Sequence, residues 1–288
     1  MKRLILFAIA AVFVLHLNAI GQVETADGTI VVAEWSKSEL VVAADSRECW
    51  GPSYSDDKCK IIAFGNKMIF AACGRQDIRN PFNMKVVFDA FAIARQQYVR
   101  LTRNSTPEQL PMALAAAWGE AFKKQFERFA ALYGPMVVSG LTKNYVAGGL
   151  FAEFEKDGTL LLVTENLRYE QNGWNIKITP SRDQTDVTKW SDYVMGRDEI
   201  LRETQAAKTF QAHQWKIDTA RKIQSSPISK RVATTAIVFV ELTIDHLPNT
   251  KIDANGKPFS EVGRPVAAVQ LLPGQGVNWI LPGNCKPH

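Results

Sequence analysis

Gly28-Thr29-Ile30-Val31-Val32-Ala33, Leu40-Val41-Val42-Ala43-Ala44-Asp45-Ser46-Arg47, Lys60-Ile61-Ile62-Ala63-Phe64 and Met68-Ile69-Phe70-Ala71-Ala72-Cys73-Gly74 follow one another between Gly28 and Gly74. These four short apolar runs are rich in β-branched residues and broken by polar turns, the pattern of consecutive strands. Lys37-Ser38-Glu39 and Gly65-Asn66-Lys67 are the size of hairpin connections. Ionisable side chains stand at the edges of the runs: Asp45 after one, Lys60 before the next. A charge at the edge of a buried strand is costly unless paired. Asp45 is therefore expected to pair with Lys60, beside Thr29.

Outward from this block, Pro81 to Leu101 carries Phe82, Val86, Phe88, Phe91, Ile93, Ala94, Tyr98 and Leu101 at roughly helical spacing. Thr106-Pro107-Glu108-Gln109 reads as a helix start with Thr106 as cap and Gln109 completing a capping box, and Gly134-Pro135 ends that helix after Tyr133. A second strand block is expected over Tyr145 to Phe154, Thr159 to Thr164 and Asn172 to Pro180, with Glu155-Lys156-Asp157-Gly158 as a hairpin turn. Arg197 to Gln224 reads as a third long helix, Val232 to Ile244 as a strand, Pro265 to Leu272 as a last strand, and the tail as loop. Strand blocks separated by helices suggest a layered protein of α/β (α+β) class, sheets inside and helices outside.

The N-terminal segment reads as an export signal over residues 1–21: Lys2-Arg3, then an apolar run from Leu4 to Leu17, then Ala19-Ile20-Gly21. That run is short for a membrane span, which needs about 20 residues, so no stable span is expected once the signal is removed. Residues 22–28 form a short linker or propeptide, and 29–288 a single domain. A periplasmic or secreted location follows. The formal net charge is +5, with acids and bases interspersed, which leaves no nucleic-acid footprint. Cys49, Cys59, Cys73 and Cys285 match no zinc spacing. In an exported chain Cys49 and Cys59, flanking one polar turn, are the expected disulfide; Cys73 reads as a buried thiol, and Cys285 could pair with any of the others.

Thr29 carries the chemistry. Cutting the bond after Gly28 gives Thr29 a free α-amine beside its own hydroxyl. An unperturbed α-amine titrates at about 7.7–8.0 and can serve as base near neutrality. One residue then supplies nucleophile and base, in a chain whose histidines (His16, His213, His246, His288) are scattered. A cation at Lys60 would keep that amine unprotonated, Asp45 would hold Lys60, and the Gly74 N–H could face a substrate carbonyl oxygen. Phosphate-cradling glycine loops, metal-ligand helix motifs and Gly-x-Ser-x-Gly are absent from the sequence.

Gly28-Thr29, Ala43-Ala44-Asp45-Ser46-Arg47, Lys60-Ile61 and the strand ending at Gly74 resemble the proteasome β-subunit family of N-terminal nucleophile (Ntn) hydrolases. Asp45 lies sixteen residues after Thr29 and Gly74 fourteen after Lys60, as in that family. The interval from Asp45 to Lys60 is one residue short, and Lys58 competes for the lysine position but breaks the spacing to Gly74. The resemblance implies a four-layer αββα sandwich and a free-standing exported bacterial relative. It implies Thr29 as nucleophile, Lys60 and Asp45 as its electrostatic partners, Arg47 as support, and Gly74 as oxyanion donor. The implied activity is hydrolysis of a peptide or amide bond after self-cleavage between Gly28 and Thr29, without a cofactor; self-association stays open. The alternative is a non-catalytic binding or assembly protein of the same fold. The sequence departs from the family at Met195-Gly196-Arg197-Asp198, in place of a serine-glycine pair, and around Ser225 to Lys230, where a supporting aspartate and serine have no match.

Overall fold

The structure is a computed structural model that describes residues 26–50, 52–79, 85–104, 106–139, 141, 144–188, 191–196 and 210–285. The expected export signal, and residues 197–209 of the expected third helix, lie outside the described residues. The strands are β1 (Ala26–Asp27), β2 (Ile30–Ser36), β3 (Glu39–Ala44), β4 (Glu48–Trp50), β5 (Ser53–Ser55), β6 (Ile61–Phe64), β7 (Met68–Gly74), β8 (Asp77–Arg79) and β9 (Val86–Asp89). After helices α1 (Ala90–Thr102) and α2 (Leu110–Tyr133) come β10 (Tyr145–Phe154), β11 (Leu160–Asn172), β12 (Asn175–Gln184) and β13 (Ser191–Gly196). Helices α3 (Phe210–Ser225) and α4 (Arg231–His246) precede β14 (Lys251–Ile252), β15 (Pro258–Phe259), β16 (Ala267–Leu272) and β17 (Gly276–Leu281).

Two five-stranded antiparallel sheets dominate. One has the order β12-β11-β10-β7-β6, the other β13-β2-β3-β16-β17. The unbroken apolar runs of the sequence are explained by burial on both faces. In β2, Val31, Ala33 and Trp35 join a core shared with Ile69, Ala71, Leu150 and Leu162 of the first sheet. Ile30 and Val32 pack on the opposite side with Val232, Ala236 and Val240 of α4. In β7, Met68, Phe70 and Ala72 face Phe91 of α1 and Trp118, Phe122 and Phe126 of α2, while Ile69, Ala71 and Cys73 face the second sheet. A strand buried on both faces cannot alternate apolar with polar residues, because each parity meets a core.

Several sequence expectations are corrected. Val232 to Ile244 is helical, within α4. Its β-branched content favours a strand, but Val232, Thr235, Ala236, Val240 and Thr243 recur at helical spacing and are buried, together with Val238 and Leu242; packing of that face on β2, β3 and β16 outweighs propensity. The tail after Leu272 is a strand, β17, paired with β16. The expected helix from Pro81 begins only at Ala90, capped by Asp89, whose side chain accepts from the Phe91 and Ala92 N–H groups; Val86 and Phe88 belong to β9. Helix α2 begins at Leu110 with Pro111 in its first turn, so Thr106 does not cap it. Strands β11 and β12 run past the expected ends at Thr164 and Pro180, with ladder pairs from Val163–Gln184 to Asn172–Asn175.

The cysteines are paired otherwise than expected. Cys59 bonds Cys285 across a sequence separation of 226, while Cys49 and Cys73 are free and buried. Cys49 lies on β4 with its Sγ directed at the Glu261 carbonyl (3.7 Å), so its flanking position in sequence does not bring it to Cys59. Burial pushes the Cys49 thiol up to about 12 and the Cys73 thiol up to about 11, leaving both protonated at neutral pH. Among the described residues no helix is long and apolar enough to cross a membrane.

Candidate active site at the Gly28–Thr29 bond

The site forms where the two sheets meet. Thr29 precedes β2 and Asp45 follows β3, both in the second sheet; Lys60 precedes β6 and Gly74 ends β7, both in the first. Thr29, Asp45 and Lys60 are 1–2% exposed. Register makes the first half of this arrangement: Val31 pairs Ala44, so the chain ends at Thr29 and Asp45 emerge side by side. Asp45 Oδ1 accepts the Ile30 N–H (3.0 Å), and the Asp45 N–H donates to the Ile30 carbonyl (3.3 Å).

Lys60 and Asp45 pair as expected, with Nζ to Oδ1 at 3.0 Å. Nζ also donates to the Gly28 carbonyl at 2.8 Å and to the Arg47 carbonyl. Three acceptors around one Nζ match the three hydrogens of an ammonium. Asp45 is equally saturated: Oδ2 accepts from the Arg47 N–H (3.0 Å) and the Gly263 N–H (3.1 Å). Burial pushes the Asp45 carboxyl up, opposed by the Lys60 charge and by the N–H groups of Ile30 and Gly263. With both oxygens facing donors, the arrangement accommodates the carboxylate and leaves no place for a proton.

Arg47 is not in contact with Thr29. Its guanidinium holds Asp56 in a two-pronged pair (2.6 and 2.8 Å) and donates to the Ser260 carbonyl (3.0 Å), so its link to the site is its own carbonyl on Lys60. Lys58, the competing lysine, is turned elsewhere, to Glu48 (3.0 Å) and Asp77 (3.4 Å). Gly74 ends β7 opposite Ala147. Among the described residues no hydrogen bond joins Gly74 to Thr29 or Gly28; the Gly28 carbonyl accepts from Lys60 and from the Thr29 hydroxyl instead.

Thr29 Oγ1 donates to that same Gly28 carbonyl at 2.6 Å and accepts from Gln76 Nε2 at 2.7 Å. Sequence reading missed Gln76, which lies two residues beyond the motif that ends at Gly74. It also missed how Gly196 serves the site. Gly196 pairs Ile30 at the end of β13 with φ +92°, and a Cβ there would stand 1.9 Å from the Thr29 carbonyl oxygen. Gly28 has φ +85°, and a Cβ there would stand 2.2 Å from the Glu261 carbonyl oxygen. Both positions demand glycine on conformation and on space. The segment before Gly28 is held as a strand, Ala26 opposite Trp50 and Asp27 opposite Cys49. Ser225 and Ser226 lie at the end of α3 and donate to the Lys222 carbonyl, so neither supplies the missing support to Thr29.

No family model matches the sequence, and no curated protein matches it. Solved structures do. The Anbu complex of Pseudomonas aeruginosa, solved as a helical assembly, is similar over 88% of this chain and 85% of that chain, at 12% identity and a TM-score of 0.51. The fold is proteasome-like. BPH of Thiobacillus denitrificans, solved in complex with epoxomicin, aligns over 85% of this chain and 99% of that one, at 13% identity and a TM-score of 0.43. At such identities the likeness concerns the proteasome-like fold and carries no residue roles. Those rest on the geometry around Thr29.

Proposed function

We propose that this chain is an exported N-terminal threonine hydrolase that activates itself by cleaving the bond between Gly28 and Thr29 and then cuts peptide or amide bonds. One observation carries the reading. A hydroxyl and an ammonium converge on the carbonyl of the one peptide bond whose cleavage would free Thr29: Oγ1 at 2.6 Å and Lys60 Nζ at 2.8 Å from the Gly28 oxygen. The two sheets, with α1 and α2 outside one and α4 outside the other, fit a four-layer αββα sandwich of the Ntn type.

In the self-cleavage, Thr29 Oγ attacks the Gly28 carbonyl carbon. Negative charge gathers on the Gly28 oxygen, where the Lys60 ammonium already donates; such a donor is worth most where water is excluded. The bond from Gly28 to the Thr29 nitrogen breaks, and the hydroxyl proton passes to that nitrogen. Gly28 is left as an ester on Thr29 Oγ, which water hydrolyses to the free leader carboxylate and the free hydroxyl. Lys60 then loses the Gly28 acceptor and stands as a cation beside the new amine, which disfavours its protonation and keeps it a base. With the leader gone, the edge of β4 is unpaired and can receive an extended peptide as β1 was received. The scissile carbonyl of a substrate would be attacked by the freed Thr29 Oγ, with the Gly74 N–H as the oxyanion donor that the family resemblance implies. Residues 1–21 act as the export signal, placing the protein in the periplasm or outside the cell.

Intact mass and N-terminal sequencing of purified protein test this. Wild type should begin at Thr29, and Thr29→Ala should keep the residues before it. Wild-type protein that retains Gly28 overturns the reading in favour of a binding or assembly protein with the same fold.

A further inference from the structure

Gln76 follows β7 and is buried, 2% exposed. Its Nε2 lies 2.7 Å from Thr29 Oγ1 and 3.0 Å from the Ala72 carbonyl oxygen. The Ala72 carbonyl can only accept, so it fixes which end of the amide is nitrogen; the flipped amide would set two carbonyl oxygens against each other. Both Nε2 hydrogens are then assigned, one to Ala72 and one to Thr29 Oγ. Oε1 is buried without a hydrogen-bond partner among the described residues. Burying a polar atom unsatisfied costs stability, and an apolar side chain of this length would fill the space without that cost. The amide is accounted for by its N–H.

We propose that Gln76 is a catalytic residue of the reaction put forward above, its N–H acting as a permanent donor to the Thr29 oxygen. The inference rests on Thr29 being the nucleophile. Donation to Oγ orients the hydroxyl, leaving its own proton for the Gly28 carbonyl as observed. It also stabilises the alkoxide character that Oγ gains when it attacks and again when the ester bond to it breaks. Lys60 acts on the carbonyl side of the reacting pair and Gln76 on the nucleophile side.

The test follows leader loss by intact mass in full-length chain made by cell-free synthesis, with folding checked by circular dichroism. Gln76→Met, which has the length but no N–H, should slow cleavage about tenfold or more. Gln76→Glu should be slow at pH 8, where a carboxylate only accepts, and recover toward the wild-type rate at pH 5, where a neutral carboxyl donates. Rates are compared with wild type at each pH, because Asp45, Lys60, Glu48, Lys58 and Asp77 lie around the site in both proteins. A merely structural role gives a defect that follows the loss of folded chain seen by circular dichroism at each pH, whereas the proposed role gives slow cleavage at pH 8 by chain that is folded. A folded Gln76→Met chain cleaving at the wild-type rate, or no acid recovery in Gln76→Glu, overturns the role of Gln76 while leaving Thr29 in place. Wild type that never cleaves overturns the Thr29 reading and this one with it. Should Gln76→Met fail to fold, the acid recovery of Gln76→Glu decides.

Discussion

Lys60 Nζ lies 2.8 Å from the carbonyl oxygen of Gly28, thirty-two residues earlier in the chain and on the far side of the peptide bond from Thr29. The lysine expected to tune an amine is thus already engaged with the carbonyl of the peptide bond whose proposed cleavage would create that amine. In the proposed reaction one cation would serve both stages, because the two positions are adjacent and cleavage would exchange one for the other.

Lys60→Met should leave the leader attached and weaken the fold by about 3–5 kcal/mol, since Asp45 would keep a buried, uncompensated charge. Adding Asp45→Asn should recover only part of that loss, because it removes the orphaned charge but sets its NH2 group against backbone N–H donors that now meet a carboxylate oxygen. Urea unfolding of the single and double variants checks this; strictly additive losses would show that the two side chains are not coupled.

Gly196→Ala should cost at least about 1–3 kcal/mol, from the positive φ and from displacing the Thr29 carbonyl. Gly28→Ala should slow leader loss, because a methyl there meets the Glu261 backbone and moves the scissile carbonyl away from Lys60. Thermal melts and intact-mass time courses measure the two effects separately. Unchanged values for both would contradict the packing at these glycines.

Glu48, on the strand that holds the leader, has its carboxyl pushed up to about 7 by burial, with the Lys58 charge opposing and Asp77 reinforcing. The folded value lies above the ordinary glutamate value of 4.5, so the folded chain retains a proton that the unfolded chain has released. That contribution is complete below about pH 4.5 and is lost as pH rises through about 7. Glu48→Gln should therefore flatten the fall in stability between those limits, an effect of at most about 3 kcal/mol. Melting temperatures of both proteins from pH 4 to 8 should converge or cross with rising pH; parallel curves would refute the shift.

Cys285→Ser should destabilise the chain by about 2–5 kcal/mol, the usual range for a lost disulfide. Its local effect should fall on Lys60, because Cys59 is the adjacent residue and Asn284 Nδ2 donates to the Asp56 carbonyl. Cys49→Ser should leave the non-reducing peptide map unchanged, since Cys49 is a free thiol. A map joining Cys49 to any partner would contradict this.

The strands of Gly28 to Gly74 were legible because each apolar run carries its own period and its own turns. The Asp45–Lys60 pair was legible because a charge beside a buried strand demands a partner, and the spacing that the family resemblance implies chose Lys60 over Lys58. The α4 helix was not legible. Its residues favour a strand one by one, and only the sheet surface on which they pack selects the helical stripe. The disulfide was misread because nearness in sequence is a poor guide once β4 turns Cys49 toward Glu261 and β17 returns the tail to Cys59.

By itself, then, the sequence determined the inner strands, the glycine before Thr29 and the buried ion pair, all of which follow from local pattern and the cost of burying charge. Tertiary structure alone decided what else meets Thr29 from outside the β2–β3 hairpin. Gln76 follows β7 of the first sheet and reaches Thr29 because β7 packs against β2; Gly196 reaches it because β13 pairs with β2 along the other edge. No local property of either residue encodes that meeting. It arises from register and from the packing of two sheets face to face, which fix atoms far apart in sequence to within a hydrogen bond.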